Sequence, residues 1–136
     1  MSKSRNIIRV TAAILSRDGK VLIARRRPGA HQGNRWEFPG GKIEAGESPE
    51  HCLCRELQEE FSIEATVGDY LGSNFHRYEF GVIELMAFRV AWSGDRIRLQ
   101  DHGEIRWAAP DELAGIDFSP ADIPFAEKIR TGAITL

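Results

Sequence analysis

Apolar positions alternate along Ile7 to Leu15, with Val10, Ala12 and Ile14 on one face, and predict a β-strand. Asp18-Gly19 is a hairpin turn signal, and Val21 to Ala24 reads as the returning strand. From Arg25 to Gly46 no period survives. Gly29, Gly33, Gly40, Gly41, Gly46 and two prolines predict a loop, and a loop that long in a small domain is usually functional. Ser48-Pro49-Glu50 then starts a helix: Ser48 caps it, Pro49 fits its first position, and Glu50 suits the positive dipole end. The helix is expected to run to about Glu60. Strands are expected at Ala65 to Leu71, Phe75 to Tyr78 and Val82 to Trp92, with a shorter one at Arg106 to Ala108. Ser119-Pro120 and Asp122 both offer caps for a last helix ending near Arg130. Strands with interspersed helices predict a layered α/β or α+β arrangement, but periodicity does not supply the strand order.

The central helix carries the chemistry. At roughly 100° per residue, with Glu56 at zero, Glu59 falls at about -60° and Glu60 at about +40°. Leu53, Leu57, Phe61 and Cys54 form the adjacent stripe, which anchors the helix and leaves the carboxylates at its rim. The plainer reading is a solvated acidic face eased by an Arg55–Glu59 pair. Against it, each like-charge pair at these spacings costs on the order of a few tenths of a kcal/mol. A divalent cation relieves that repulsion, and hard oxygen ligands select Mg²⁺ or Mn²⁺ rather than zinc.

Composition narrows the classes. The chain of 136 residues suits one domain, expected over 1–136. A net charge of -2 gives no basic surface for stable nucleic-acid binding. No apolar run is long enough for a membrane span, and Met1 to Arg9 lacks a signal-peptide core, so a cytoplasmic location is the expectation. Cys52 and Cys54 are too close for a disulfide framework and too few for a zinc site. With no G-x-x-x-x-G-K-[ST], a P-loop ATPase has no support.

Gly41 to Ile63, GKIEAGESPEHCLCRELQEEFSI, resembles the Nudix box, G-x5-E-x7-R-E-U-x-E-E-x-G-U, where U is a bulky aliphatic residue. Gly41, Glu47, Arg55, Glu56, Leu57, Glu59, Glu60 and Ile63 match; Ser62 stands where the family has Gly. Trp36-Glu37-Phe38-Pro39-Gly40-Gly41-Lys42 looks like the lead-in of MutT-type members. Arg25-Arg26-Arg27 and His31 look like their phosphate-side loop, and Pro120-Ala121-Asp122-Ile123-Pro124 like the segment that borders the base.

The resemblance implies the Nudix fold, an α/β/α sandwich around a mixed sheet. It also implies a nucleoside triphosphate pyrophosphohydrolase: water attacks the β-phosphorus, giving a nucleoside monophosphate and pyrophosphate. Such activity cleanses the nucleotide pool. By position, Glu56, Glu59 and Glu60 become ligands of Mg²⁺, with Mn²⁺ as a substitute, and the carbonyl of Gly40 or Gly41 adds another. A late-strand carboxylate completes the set; Asp101 and Glu104 compete, and spacing favours Asp101. Glu56, Glu59 and Arg55 are the catalytic candidates, with Glu56 the first choice for general base. Glu47 and Arg55 orient the helix. Arg26, His31, Phe38, Lys42 and Asp122 are the substrate-binding candidates. His51, His76 and His102 carry no metal-ligand spacing and read as ordinary surface or core residues.

Asp122 bears on the base. An ionised Asp only accepts hydrogen bonds, which suits an exocyclic amine such as cytosine N4. dCTP, CTP or a modified pyrimidine is therefore expected first and 8-oxo-dGTP second, unless Asp122 is only a helix cap. Cleavage of ADP-ribose or a dinucleoside polyphosphate is the alternative within the family. A non-catalytic nucleotide-binding Nudix module is the alternative outside enzymology, and the retained glutamates argue against it. The assembly expected is a monomer or a homodimer.

Overall fold

The computed structural model describes residues 6–136. The reading of the first five residues lies outside them. The chain orders as β1 (Ile7–Arg17), β2 (Lys20–Arg26), β3 (Trp36–Glu37), α1 (Pro49–Phe61), β4 (Thr66–Tyr78), β5 (Gly81–Ala91), β6 (His102–Ala108) and α2 (Ile123–Thr131). Two 3₁₀ turns, Pro110–Gly115 and Pro120–Asp122, precede α2.

β1 is the hinge of a mixed sheet. It pairs parallel with β5 over Ile7 to Leu15 and antiparallel with β2 at Ser16 and Arg17. β4 flanks β5, and β2 carries β3 and β6. Asp18 and Gly19 both have positive φ, 53° and 76°, as the tight hairpin demands. Ala12, Ala13, Ile14 and Leu15 are all buried, so β1 is covered on both faces. Ala12 and Ile14 pack with Phe125 and Ile129 of α2; Ala13 and Leu15 pack with Leu53, Leu57 and Phe61 of α1. This is the expected layering of helices about a mixed sheet. Among the described residues, no helix is long and apolar enough to cross a membrane.

Three stretches differ from the sequence expectation. The predicted strands Ala65 to Leu71 and Phe75 to Tyr78 are one strand, because pairing with β5 continues through Gly72, Ser73 and Asn74. Irregular register at Val67/Tyr70 and Tyr70/Gly72 absorbs the residues that read as a break. The last short strand begins earlier, at His102, through pairing with β2. The long loop is partly strand: Trp36–Glu37 pairs with Ala24 and Arg25, and Gly41 and Pro39 accept from the β1 amides of Thr11 (2.8 Å) and Ala13 (2.6 Å).

α1 ends at Ser62, which sits in the left-handed region at φ 56°, ψ 39°. Its amide donates to Gln58 O at 3.1 Å, and the Ile63 amide to Leu57 O at 3.1 Å, closing the helix. A side chain in this conformation costs on the order of 1 kcal/mol relative to glycine. Ser62→Gly is therefore expected to raise stability by about 1 kcal/mol with kcat unchanged, read from denaturant melts beside steady-state rates.

Candidate active site

Ser48 Oγ accepts from the His51 amide at 3.1 Å and fixes the start of α1. Two turns on, Arg55 is the hub of the acidic face. Its Nε and Nη2 grip Glu47 in a two-pronged pair at 2.6 and 2.9 Å. Its Nη1 reaches Glu56 Oε2 at 2.9 Å and Glu59 Oε1 at 3.1 Å, and Nη2 also reaches the Lys42 carbonyl at 3.2 Å. The guanidinium bond holds the Glu47 carboxyl below the usual carboxylate range, against the opposing effect of burial. The Glu47 side chain is only 7% exposed, so this pair is screened little.

Gly40 and Gly41 join this face to the sheet. A Cβ on Gly40 would collide with the Thr11 carbonyl, and one on Gly41 with the Glu56 carboxylate. Glycine here allows the loop to lie flat between β1 and α1. The Gly41 carbonyl already accepts from the Thr11 amide and, at 3.2 Å, the Thr11 hydroxyl, with the buried Cys52 thiol 3.4 Å away. The Gly40 carbonyl accepts no hydrogen bond among the described residues.

Burial is the main cause pushing the Glu56 carboxyl above its ordinary value; Arg55 opposes it. Burial also raises Glu60, and the adjoining Asp101 carboxyl raises it further. The Gln100 amide donates to Glu60 O at 3.1 Å and brings Asp101 there. Glu104 turns away and pairs with Arg25 at 2.9 Å. Glu60 Oε2 is buried without a partner among the described residues. Two touching carboxyls and an orphaned oxygen suit a proton or a cation between them. No three His, Cys, Asp or Glu of the described residues are already drawn together around one ion position.

Beyond the glycines lies a cavity of about 260 Å³. Arg26, His31, Phe38, Lys42 and Asp122 all line it, as does Glu37. Arg26 Nε donates to the His31 carbonyl at 2.6 Å, and Arg26 Nη1 pairs with Glu37 at 3.1 Å. The His31 ring meets Tyr78 and Phe80 edge-on, at 5.1 and 5.0 Å. Asp122 is 5% exposed and makes no helix-cap bond; its Oδ2 accepts from the Phe38 amide at 2.9 Å. Burial, and next the charge of Glu37, push its carboxyl well above the ordinary value.

The NUDIX domain family model matches residues 5–129 of this chain. The chain belongs to the NUDIX family. It is 41% identical to the CTP pyrophosphohydrolase of Escherichia coli (strain K12) over 89% of this chain and 90% of that one. It is 34% identical to the 8-oxo-dGTP diphosphatase of the same organism, over 86% and 91%. The solution structure of the E. coli ORF135 protein superposes with a TM-score of 0.83 at 38% identity, covering 96% of this chain and 93% of that one.

Within this NUDIX site, two residues carry more than their sequence signal. Glu37 was legible only as part of the lead-in, with no role. His102 read as an ordinary histidine, yet its Nε2 lies 2.6 Å from Glu37 Oε2. The pairing of β2 with both β3 and β6 brings them together, with Ala24 opposite Glu37 and Arg26 opposite His102.

Proposed function

We propose that this chain is a Mg²⁺-dependent nucleoside triphosphate pyrophosphohydrolase, with Mn²⁺ as a substitute, converting a (d)NTP and water to a (d)NMP and pyrophosphate. The supporting observation is the shared wall: Gly41 lines the cavity on one side and packs on the Glu56 carboxylate on the other. A nucleoside in the cavity would thus extend its phosphates toward the acidic face of α1.

Glu59, Glu60, Asp101 and the free Gly40 carbonyl are the groups to hold the ion, with Glu56 beside them. The bound ion supplies charge neutralisation for the polyphosphate and acidifies the attacking water. Arg55 keeps one Glu56 oxygen and leaves the other, set against Gly41, to take the proton of that water. Arg26 and Lys42 bind phosphate oxygens; Arg26 offers a planar fork of donors. Phe38 borders the base, Asp122 reads its polar edge, and His31, on the phosphate-side loop, is held against Tyr78 and Phe80.

The pyrimidine preference rests on likeness to the CTP pyrophosphohydrolase and on Asp122 as an acceptor for an exocyclic amine. 8-oxo-dGTP is the second reading, on likeness to the 8-oxo-dGTP diphosphatase of Escherichia coli. The test is pyrophosphate release from dCTP, 5-methyl-dCTP, dGTP, 8-oxo-dGTP and ADP-ribose, run with Mg²⁺ and again with Mn²⁺. dCTP or its methyl derivative should lead in kcat/KM, and ADP-ribose should trail. Asp122→Asn should change the ratio between bases by on the order of tenfold. An unchanged ranking removes Asp122 from base reading.

A further inference from the structure

His102 is 8% exposed, and its ring stacks on Phe61 with centroids 5.1 Å apart. One edge faces Glu37; the other, Nδ1, is buried without a partner among the described residues. A carboxylate only accepts, so Nε2 carries the hydrogen and donates. Glu37 is thereby held at both oxygens, Oε1 by Arg26 at 3.1 Å and Oε2 by His102 at 2.6 Å. Glu37, Arg26 and Asp122 all line the cavity, and the charge of Glu37 acts on Asp122, which is bonded to the neighbouring Phe38 amide. Through the chain, His102 follows Asp101, which adjoins Glu60 at the other end of the site.

We propose that His102 is a positioning residue for substrate recognition: it fixes the Glu37 carboxylate, and with it Arg26, in the geometry that meets the nucleotide. It touches no substrate itself. Without it, Glu37 gains a free oxygen, can turn toward Asp122, and draws Arg26 along. Binding should suffer more than chemistry, because the acidic face of α1 holds none of these bonds.

The proposal rests on the cavity being the nucleotide site, so the Asp122→Asn result is measured alongside. His102→Phe keeps the shape and the stack on Phe61 but removes the donor. It should raise KM for the preferred triphosphate by on the order of tenfold, as loss of a charge-assisted hydrogen bond does, with kcat within about twofold. His102→Gln and His102→Asn form a matched pair. Gln places its amide near the position of Nε2 and should restore KM; Asn is too short and should not. Both lose the imidazole, so their ratio reads the Glu37 bond apart from packing, even should the Phe variant not fold. In a Glu37→Ala background the three substitutions should leave KM alike. Equal KM for the Gln and Asn variants, or an undiminished His102 effect without Glu37, overturns the proposal. If Asp122→Asn alters base ranking while those His102 ratios stay flat, the cavity reading survives and only the role of His102 is lost.

Discussion

Replacing Glu56 by glutamine is expected to lower kcat by on the order of a thousandfold, while the fold survives. Glutamine keeps the shape of the side chain, and its carbonyl oxygen can still accept from Arg55 Nη1, which lies 2.9 Å from Glu56 Oε2. What it loses is basicity. The carboxyl packs on Gly41, where no Cβ would fit, so a bulkier or shorter side chain would move the loop as well. The isosteric change separates proton acceptance from packing. The measurement is steady-state pyrophosphate release at saturating Mg²⁺ and nucleotide, with a thermal melt of both proteins. A kcat within tenfold of the parent would remove Glu56 from the chemistry and pass the role of base to Glu59 or Asp101.

Arg55→Ala should damage both stability and rate. Arg55 is the hydrogen-bond partner of Glu47, Glu56 and Glu59 at once, and the Glu47 and Glu56 side chains are only 7% and 16% exposed. Removing the cation leaves these charges close together, with only the Glu44 amide and the exposed His51 ring still on Glu47, which destabilises far more than loss of a surface pair. A fall in Tm of about 5–10 °C is expected near neutral pH, together with a drop in kcat of at least about a hundredfold as the carboxylates lose their orientation. The pH dependence has a definite sign. The folded-state pKa of Glu47 is lowered by Arg55, so its contribution is fully present above the ordinary glutamate value and is lost as pH falls through the lowered one. The Tm gap between parent and variant should therefore be full at neutral pH and shrink once the pH drops below about 4. A gap that stayed constant under acid would show that Arg55 acts by packing rather than by charge.

Much of the candidate site was legible because it depends on spacing within one helix. Glu56, Glu59 and Glu60 share a stripe by helical geometry alone, and the Arg55–Glu59 pair follows from the same period. The glycines of the lead-in read only as loop, and the structure adds what they lie against: the Thr11 carbonyl and the Glu56 carboxylate. The choice between Asp101 and Glu104 was not local. Backbone bonds from Arg98 to Phe61 and from Gln100 to Glu60 bring the loop onto the end of α1 and leave Asp101 there. The choice between the Gly40 and Gly41 carbonyls likewise depends on which one β1 already occupies.

Local sequence determined the helix with its cap, the Asp18-Gly19 hairpin, the apolar faces and the acidic stripe. Each depends on residues a turn or a strand-width apart, whose interactions the chain cannot avoid. Only the tertiary structure decided that β5 rather than a neighbour in sequence lies parallel to β1, that β4 continues through Gly72, and that β6 returns to β2. The pairing of β2 with β3 and β6 brings His102 to Glu37, and the bridge from Trp36 to Phe118 brings Asp122 to Phe38, across 65 and 84 residues of chain. No periodicity spans such distances. The raised pKa of Asp122 belongs to the same class, because burial and the approach of Glu37 exist only once the sheet and the 3₁₀ turn before α2 have closed around it.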